Sequence, residues 1–384
     1  MTLPLDGVLV ADFSRVLAGP YATATLADLG ARVIKVERPG AGDDTRSWGP
    51  PWTENSASYF ESANRNKESV VLDLTDSADQ VVARELALRA DVIVENFRPG
   101  ALDRFGLGYA QVSERNPGAV YCSITGFGSG AGAQLPGYDF LVQAVGGLMS
   151  ITGDPDSAGG SPMKAGVALV DVLTAKDATV GILAGLHARD RTGRGQHVEV
   201  NLLTSLLAAM VNQASSYLTT GRPPGRLGNA HPSIAPYELL PCADAPIAIA
   251  CGNDAQFRRL VTELGDESLA EDERFVTNAA RVHHRAALAS TLAKLLAEDT
   301  AASWVERISR AGVPAGKVGS IADGFALADT LGLDPLVDVG DGVPAQVRHP
   351  VSYSHTPITE YTAPPRLGQH SDAVRHWLQK EKKS

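Results

Sequence analysis

The sequence predicts an α/β protein: a mainly parallel sheet covered by helices, with a second, smaller α+β unit. Three observations carry this. Short apolar runs alternate with amphipathic helical stretches through residues 1–125, the signature of βαβ units. The stretch 221–236, "GRPPGRLGNAHPSIAP", is dense in glycine and proline and marks a boundary. The 384 residues are 44% hydrophobic and 20% charged, which is enough apolar material for two cores.

Residues 8–13 ("VLVADF") read as the first strand, followed by the turn-rich "SRVLAGPYA" and a helical stretch over 22–29. The second strand is expected at 33–37 ("VIKVE"), the third at 70–74 ("VVLDL") and the fourth at 91–96 ("DVIVEN"). The amphipathic "DSADQVVARELALRA" lies between the last two, and 120–124 makes the fifth strand. Sheets of this kind bind ligands outside the carboxyl ends of their strands. Residues 173–191 read as a helix with Val180, Leu183, Ala184 and His187 near one face. It ends at "TGRG", where glycine suits a C-cap. A strand at 198–201 and a helix at 202–219 follow. Beyond the boundary at 221–236, residues 240–330 look like a smaller α+β unit, and the tail after 340 is rich in proline. Helices are expected in this smaller unit near 254–264, 283–297 and 301–311, and in the tail at 371–380.

Composition excludes several classes of function. The net charge of −10 argues against a dedicated nucleic-acid binder. No apolar run approaches membrane-spanning length, and the N-terminus lacks a signal-peptide pattern. Cys122, Cys242 and Cys251 are isolated and odd in number, which fits a reducing cytoplasm rather than a disulfide framework. No metal-ligand spacing, Ser/His/Asp set or G-x-S-x-G elbow is present, so no metal is expected.

Glu37 ends the second strand, where a dinucleotide enzyme places its ribose-binding acid. The loop "SRVLAGPYA" carries one glycine instead of G-x-G-x-x-G, which argues against NAD. Arg38, Arg46, Arg65, Lys67, Arg98 and Arg104 lie at expected strand ends or in the loops beyond. They are either solvated surface or a set of cations for phosphate oxygens. Asp171 stands inside the apolar run "VALVDVL". A buried carboxylate is costly unless paired or hydrogen-bonded. It reads either as the N-cap of the helix that follows or as a nucleophile kept ionised by the helix N-terminus.

Taken together, these segments resemble the family III CoA-transferases. "LDGVLVADFSRVLAGPYATATLADLGARVIKVERPGAGDDTR", "NRNKESVVLDL", "ADVIVENFRPGALDRFGLGY", "GYDFLVQAVGGLMSITG" and "RTGRGQHVEVNLL" look like the family's blocks, in its order. "RFVTNAARVHHRAAL", "AGVPAGKV" and "PPRLGQHSD" follow near the end. The resemblance implies a Rossmann-like large domain built from both chain ends (1–220 and the returning segment 336–384), a small inserted domain (221–335), and two subunits interlocked as a homodimer. It implies acyl-CoA and carboxylic acids as substrates, coenzyme A as co-substrate and no metal.

It also implies residue roles. Asp171, at the family's distance before "RDRTGRGQ", matches the nucleophilic aspartate. Arg38 matches a position near the adenosine, Leu72, Asp73, Leu74 and Thr75 a backbone segment along the cofactor, and Asn96, Phe97 and Arg98 another. Arg104 matches a phosphate-contacting arginine, and Leu17 and Ala18 the loop after the first strand. Gly137, Tyr138, Asp139 and Phe140 match a loop beside the thioester. Arg15 and Lys176 are the cations expected near a second carboxylate, and Gly228 and Asn229 are nearest to the family's glycine-rich flap. Lys176, with Ala175, stands where many members carry a small residue and a glycine. The family also holds α-methylacyl-CoA racemases, which use a histidine in a "G-H-D" setting. Gly137-Tyr138-Asp139 stands there in this chain, and tyrosine is a poor neutral-pH base. Transfer is therefore the expected activity, with racemisation and non-catalytic acyl-CoA binding as the alternatives.

Overall fold

A computed structural model describes residues 2–380. The chain forms two compact units. One comprises Met1–Leu148, Ala165–Arg222 and Asp334–Ser384, and the other Met149–Lys164 and Pro223–Leu333. Residues 149–164 thus join the second unit, whereas the expectation is that all of 1–220 belongs to the first. Local contacts explain the difference: Gly228 N–H donates to Gly153 O, and the Arg226 side chain bonds Asp154 O and pairs with Asp156.

The first unit is built on six parallel strands: β1 (Leu9–Asp12), β2 (Arg32–Glu37), β3 (Lys67–Val71), β4 (Val92–Glu95), β5 (Val120–Thr125) and β6 (His197–Asn201). Their order is β3-β2-β1-β4-β5-β6. The winding reverses between β1 and β4, which opens a crevice beyond their carboxyl ends. One face of the sheet packs Val10, Val92, Val120 and Cys122 on the helices Ala18–Asp28 and Leu169–Thr192. The other packs Ile34, Ile93 and Tyr121 on the helices Ser77–Arg89 and Ser371–Lys380.

Two differences from the sequence reading have clear causes. β3 lies at Lys67–Val71, three residues earlier than the apolar run "VVLDL". Its first residue is a lysine whose ammonium is fully buried and bonded to Asp12, Pro20 O and Asn64. Counting apolar residues misses such a strand. The helix expected at 202–219 is two, Leu202–Ala209 and Val211–Thr220, with Val211 at φ 32°.

The long helix Leu169–Thr192 lies close on the sheet. A Cβ at Gly181 would come within 2.7 Å of Val198 and one at Gly185 within 2.9 Å of Val120. These glycines let the helix settle onto β5 and β6. Its far end closes at Gly193, φ 70°, and Arg189 pairs with Asp91 at 2.7 Å. That carboxylate also accepts Leu9 N–H.

The second unit has a three-stranded antiparallel sheet, β7 (Tyr237–Pro241), β8 (Pro246–Ala250) and β9 (Ala315–Lys317). Leu240, Ile247 and Ile249 pack on Phe257, Leu292, Trp304 and Ile308 of its helices. No helix among the described residues is long and apolar enough to cross a membrane.

Candidate active site

The loops after β1 and β4 line a cleft of about 460 Å³ at the switch point of the sheet. Arg15 to Ala18 form one wall, Asn96 to Arg98 a second, and Gly126 to Gly128 with Gly137 and Tyr138 a third. Asp171 faces into the same space. Gly126 and Gly137 pack backbone to backbone, so a Cβ on either would strike the other. That close approach brings Tyr138 and Asp139 to Asp171.

Asp171 is not the N-cap. The helix starts at Leu169, with Ala168 in the cap position and no capping side chain of its own. Asp139 supplies the cap from another helix, Asp139–Val145. Its Oδ1 accepts Val170 N–H at 2.7 Å and Asp171 N–H at 3.2 Å. Its Oδ2 accepts from Gln143 at 2.7 Å, and the fully buried Gln143 in turn holds Ala165 N–H. Nor does the helix end keep Asp171 strongly ionised. Burial, and secondly the Asp139 charge, push its carboxyl up to about 7. A pKa near neutrality is usual for groups that do chemistry.

The wall formed by the β1 loop is tightly held. Asn96 accepts Arg15 N–H at 2.8 Å and returns a bond to Arg15 O at 2.7 Å. Asp43 accepts Val16 N–H at 3.2 Å, with Val16 at φ 71°. Lys35 donates to Ser14 O at 2.9 Å and pairs with Asp43 at 2.9 Å. Gly19 has no room for a side chain because Ser14 lies against it.

A second cleft of about 230 Å³ adjoins the first, since Arg15 and Phe97 line both. Arg38, Leu72, Asp73, Leu74, Thr75 and Arg104 line this one. Arg98 lines the cleft that holds Asp171. Among the described residues, Arg98 and Arg104 have no ion pair, while Arg38 pairs with Asp44. The other strand-end cations are committed internally: Arg46 to Glu37, Arg65 to Asp28 and Lys67 to Asp12. Glu37 also takes Ser69 and Asp43 N–H, which leaves it no ribose to bind.

Other expected positions fall elsewhere. Phe140 is exposed and does not line the cleft. Lys176 lies over the Tyr21 ring at 5.1 Å, away from the cleft lining. Gly228 and Asn229 belong to the second unit, where Asn229 lines a shallow cleft with Tyr237 and Ala248. Two residues escape the sequence reading. Tyr59 has its phenol pKa raised by burial and by Asp171 and Asp139. Glu95, pushed up to about 6 by burial, accepts Phe97 N–H at 2.8 Å and shapes the β4 loop. Neither lies in a pattern that announces itself. Among the described residues, no group of three or more His, Cys, Asp or Glu is placed to hold a metal.

Comparison with known proteins gives the family of the chain. The succinate–glutarate CoA-transferase of Agrobacterium fabrum is 44% identical over 97% of this chain and 94% of its own. The acetyl-CoA:oxalate CoA-transferase of Acetobacter aceti is 42% identical over 88% of this chain and 86% of its own. The crystal structure of a CAIB/BAIF family protein from Brucella suis is 42% identical, with a TM-score of 0.87 over 98% of this chain and 100% of that one. Residues 5–371 match the family described as CoA-transferase family III, and the chain is a member of that family.

Proposed function

We propose that the protein moves CoA from an acyl-CoA thioester to a carboxylic acid through covalent intermediates on Asp171. The observation that carries this is Asp171 at the head of a cleft that continues, past Arg15 and Phe97, into a cleft bearing Arg38 and Arg104. Such a track suits a thioester at one end and a phosphorylated nucleotide at the other. Asp171 attacks the thioester carbonyl and expels CoA thiolate, forming a mixed anhydride. The thiolate attacks the aspartyl carbonyl, which frees the first acid and leaves an aspartyl-CoA thioester. A second carboxylate attacks that thioester and again expels the thiolate. The thiolate then attacks the new acyl carbonyl and restores Asp171. Each hard step is divided into two easier ones.

Succinate, glutarate and oxalate in the relatives' names favour dicarboxylates, with succinyl-CoA as first donor. Arg15 lines both clefts and pairs with Asp44 at 3.4 Å; it is the cation assigned to a remote carboxylate, which would compete with Asp44 for it. The three free cysteines support a reducing, cytoplasmic setting. The test is a panel of acyl-CoA donors against acids, read by mass spectrometry, with intact-protein mass of enzyme incubated with donor alone. Asp171→Ala is expected to lose exchange and covalent labelling. Undiminished exchange in that variant would overturn the proposal. A pKa of about 7 would equally suit proton transfer next to the thioester. Deuterium uptake at the α-carbon in heavy water, without an acceptor acid, would favour racemisation instead.

A further inference from the structure

The loop Ser14–Ala18 is the strained wall of the cleft. Val16, a β-branched residue, adopts φ 71°, a left-handed conformation that such residues rarely tolerate. Beyond it, Leu17 and Ala18 open the helix Ala18–Asp28, which has no capping side chain. Their N–H groups have no hydrogen-bond partner among the described residues, and both residues line the cleft with Asp171. Unpaired N–H groups at a helix start are suited to developing negative charge.

What holds this geometry is a pair of charges away from solvent. The Lys35 and Asp43 side chains are both 0% exposed and 2.9 Å apart. Lys35 reaches Ser14 O and Asp43 reaches Val16 N–H, so the two contacts flank Arg15 and hold the backbone that enters Val16. Asp43 also takes both donors of Thr45, and Lys35 lies near Asp12 and Glu37. Stability alone is a weak reason to bury an ion pair, since apolar pairs of similar volume often serve as well. A pair that fixes the backbone leading into a strained residue at a reaction cleft has a more specific use.

We infer that the Lys35–Asp43 pair is a positioning element that clamps the Val16 turn and so presents the Leu17 and Ala18 N–H groups to the oxyanion formed at the thioester carbonyl. This rests on the covalent-transfer reading above. Neither Lys35 nor Asp43 touches substrate; both act through the loop backbone.

The test uses the double variant Lys35→Met/Asp43→Leu, which removes both charges together. A purely structural pair predicts full activity once folding is regained. The clamp predicts a folded protein, with a melting temperature within about 5 °C of wild type, but kcat lowered about 10²-fold and KM for acyl-CoA changed less than about threefold. Amide hydrogen exchange in the peptide spanning residues 13–19 should accelerate at least about tenfold while the rest of the sheet keeps its protection. Asp43→Asn keeps an acceptor for Val16 N–H and should show the same split with a smaller fall. Wild-type kcat in a folded double variant, or unchanged exchange in 13–19, would overturn the clamp. So would failure of both variants to fold, which would make the pair a stability element. If wild-type enzyme shows no label on Asp171, the transfer reading fails by itself, and the exchange measurement still decides whether the pair holds the loop.

Discussion

At the scale of the residue, Asp171 is a carboxyl whose surroundings work against its charge. Burial and then Asp139 raise its pKa to about 7. A nucleophilic carboxylate must be ionised, so kcat/KM for acyl-CoA should rise with pH along a limb centred near 7. Asp139→Asn, which keeps an acceptor for the helix N–H groups but removes the neighbouring charge, should move that limb to lower pH. The pH–rate profiles of the two proteins check this; an unmoved limb would mean that Asp139 is not felt. Stability follows the opposite sign. The folded-state pKa lies above the ordinary carboxylate value, so the unfolded chain releases this proton more readily. The cost is absent below about pH 4, grows as pH rises, and is complete above about 7, where it is of order a few kcal/mol. Asp171→Asn should therefore raise the melting temperature at pH 8 but hardly at pH 4. The position of Asp171 was legible in "VALVDVL", because a charge in an apolar run demands an explanation. Its environment was not, because Asp139 lies 32 residues away in sequence and reaches Asp171 N–H only in the fold.

At the scale of the element, the helix Leu169–Thr192 is held at both ends by residues outside it. Asp139 caps its start and Asp91 pairs with Arg189 near its end. Asp139→Ala leaves two backbone N–H groups without their acceptor, and should cost about 1–2 kcal/mol of stability in urea unfolding. The conservative Asp139→Asn should cost less than half of that. The helix itself is readable from its apolar content and the closing "TGRG", but of the face expected in the sequence Val180, Ala184 and His187 are exposed, while Thr174, Ala178, Ile182 and Gly185 are buried on the sheet; its start lies four residues earlier than expected because its cap is not local. β3 was displaced for a related reason. Apolar runs reveal strands whose partners are generic, whereas Lys67 is inside because Asp12 and Asn64 are there to meet it.

At the scale of the whole molecule, each unit leaves large apolar side chains uncovered. In the first, Val180, Val211 and Leu218 are exposed, the last at 80%; in the second, Ile321, Leu331 and Leu333 are, the first at 83%. We propose that these side chains are covered in the homodimer that the resemblance implies. Sedimentation should give a mass twice that of one chain, and charged substitutions at Leu218 and Ile321 should lower it; a monomer at micromolar concentration would contradict the expectation. The sequence by itself determined the alternation of strands and helices, the glycine turns and the chemical types at the loops, because these depend on neighbours within a few residues. Only the tertiary structure decided which of six similar cations stay free. Arg46, Arg65 and Lys67 are neutralised by Glu37, Asp28 and Asp12, while Arg98 and Arg104 remain at the clefts. The physical reason is that a charge is spent or available according to what the fold brings within about 4 Å of it, and that distance is set by residues remote along the chain.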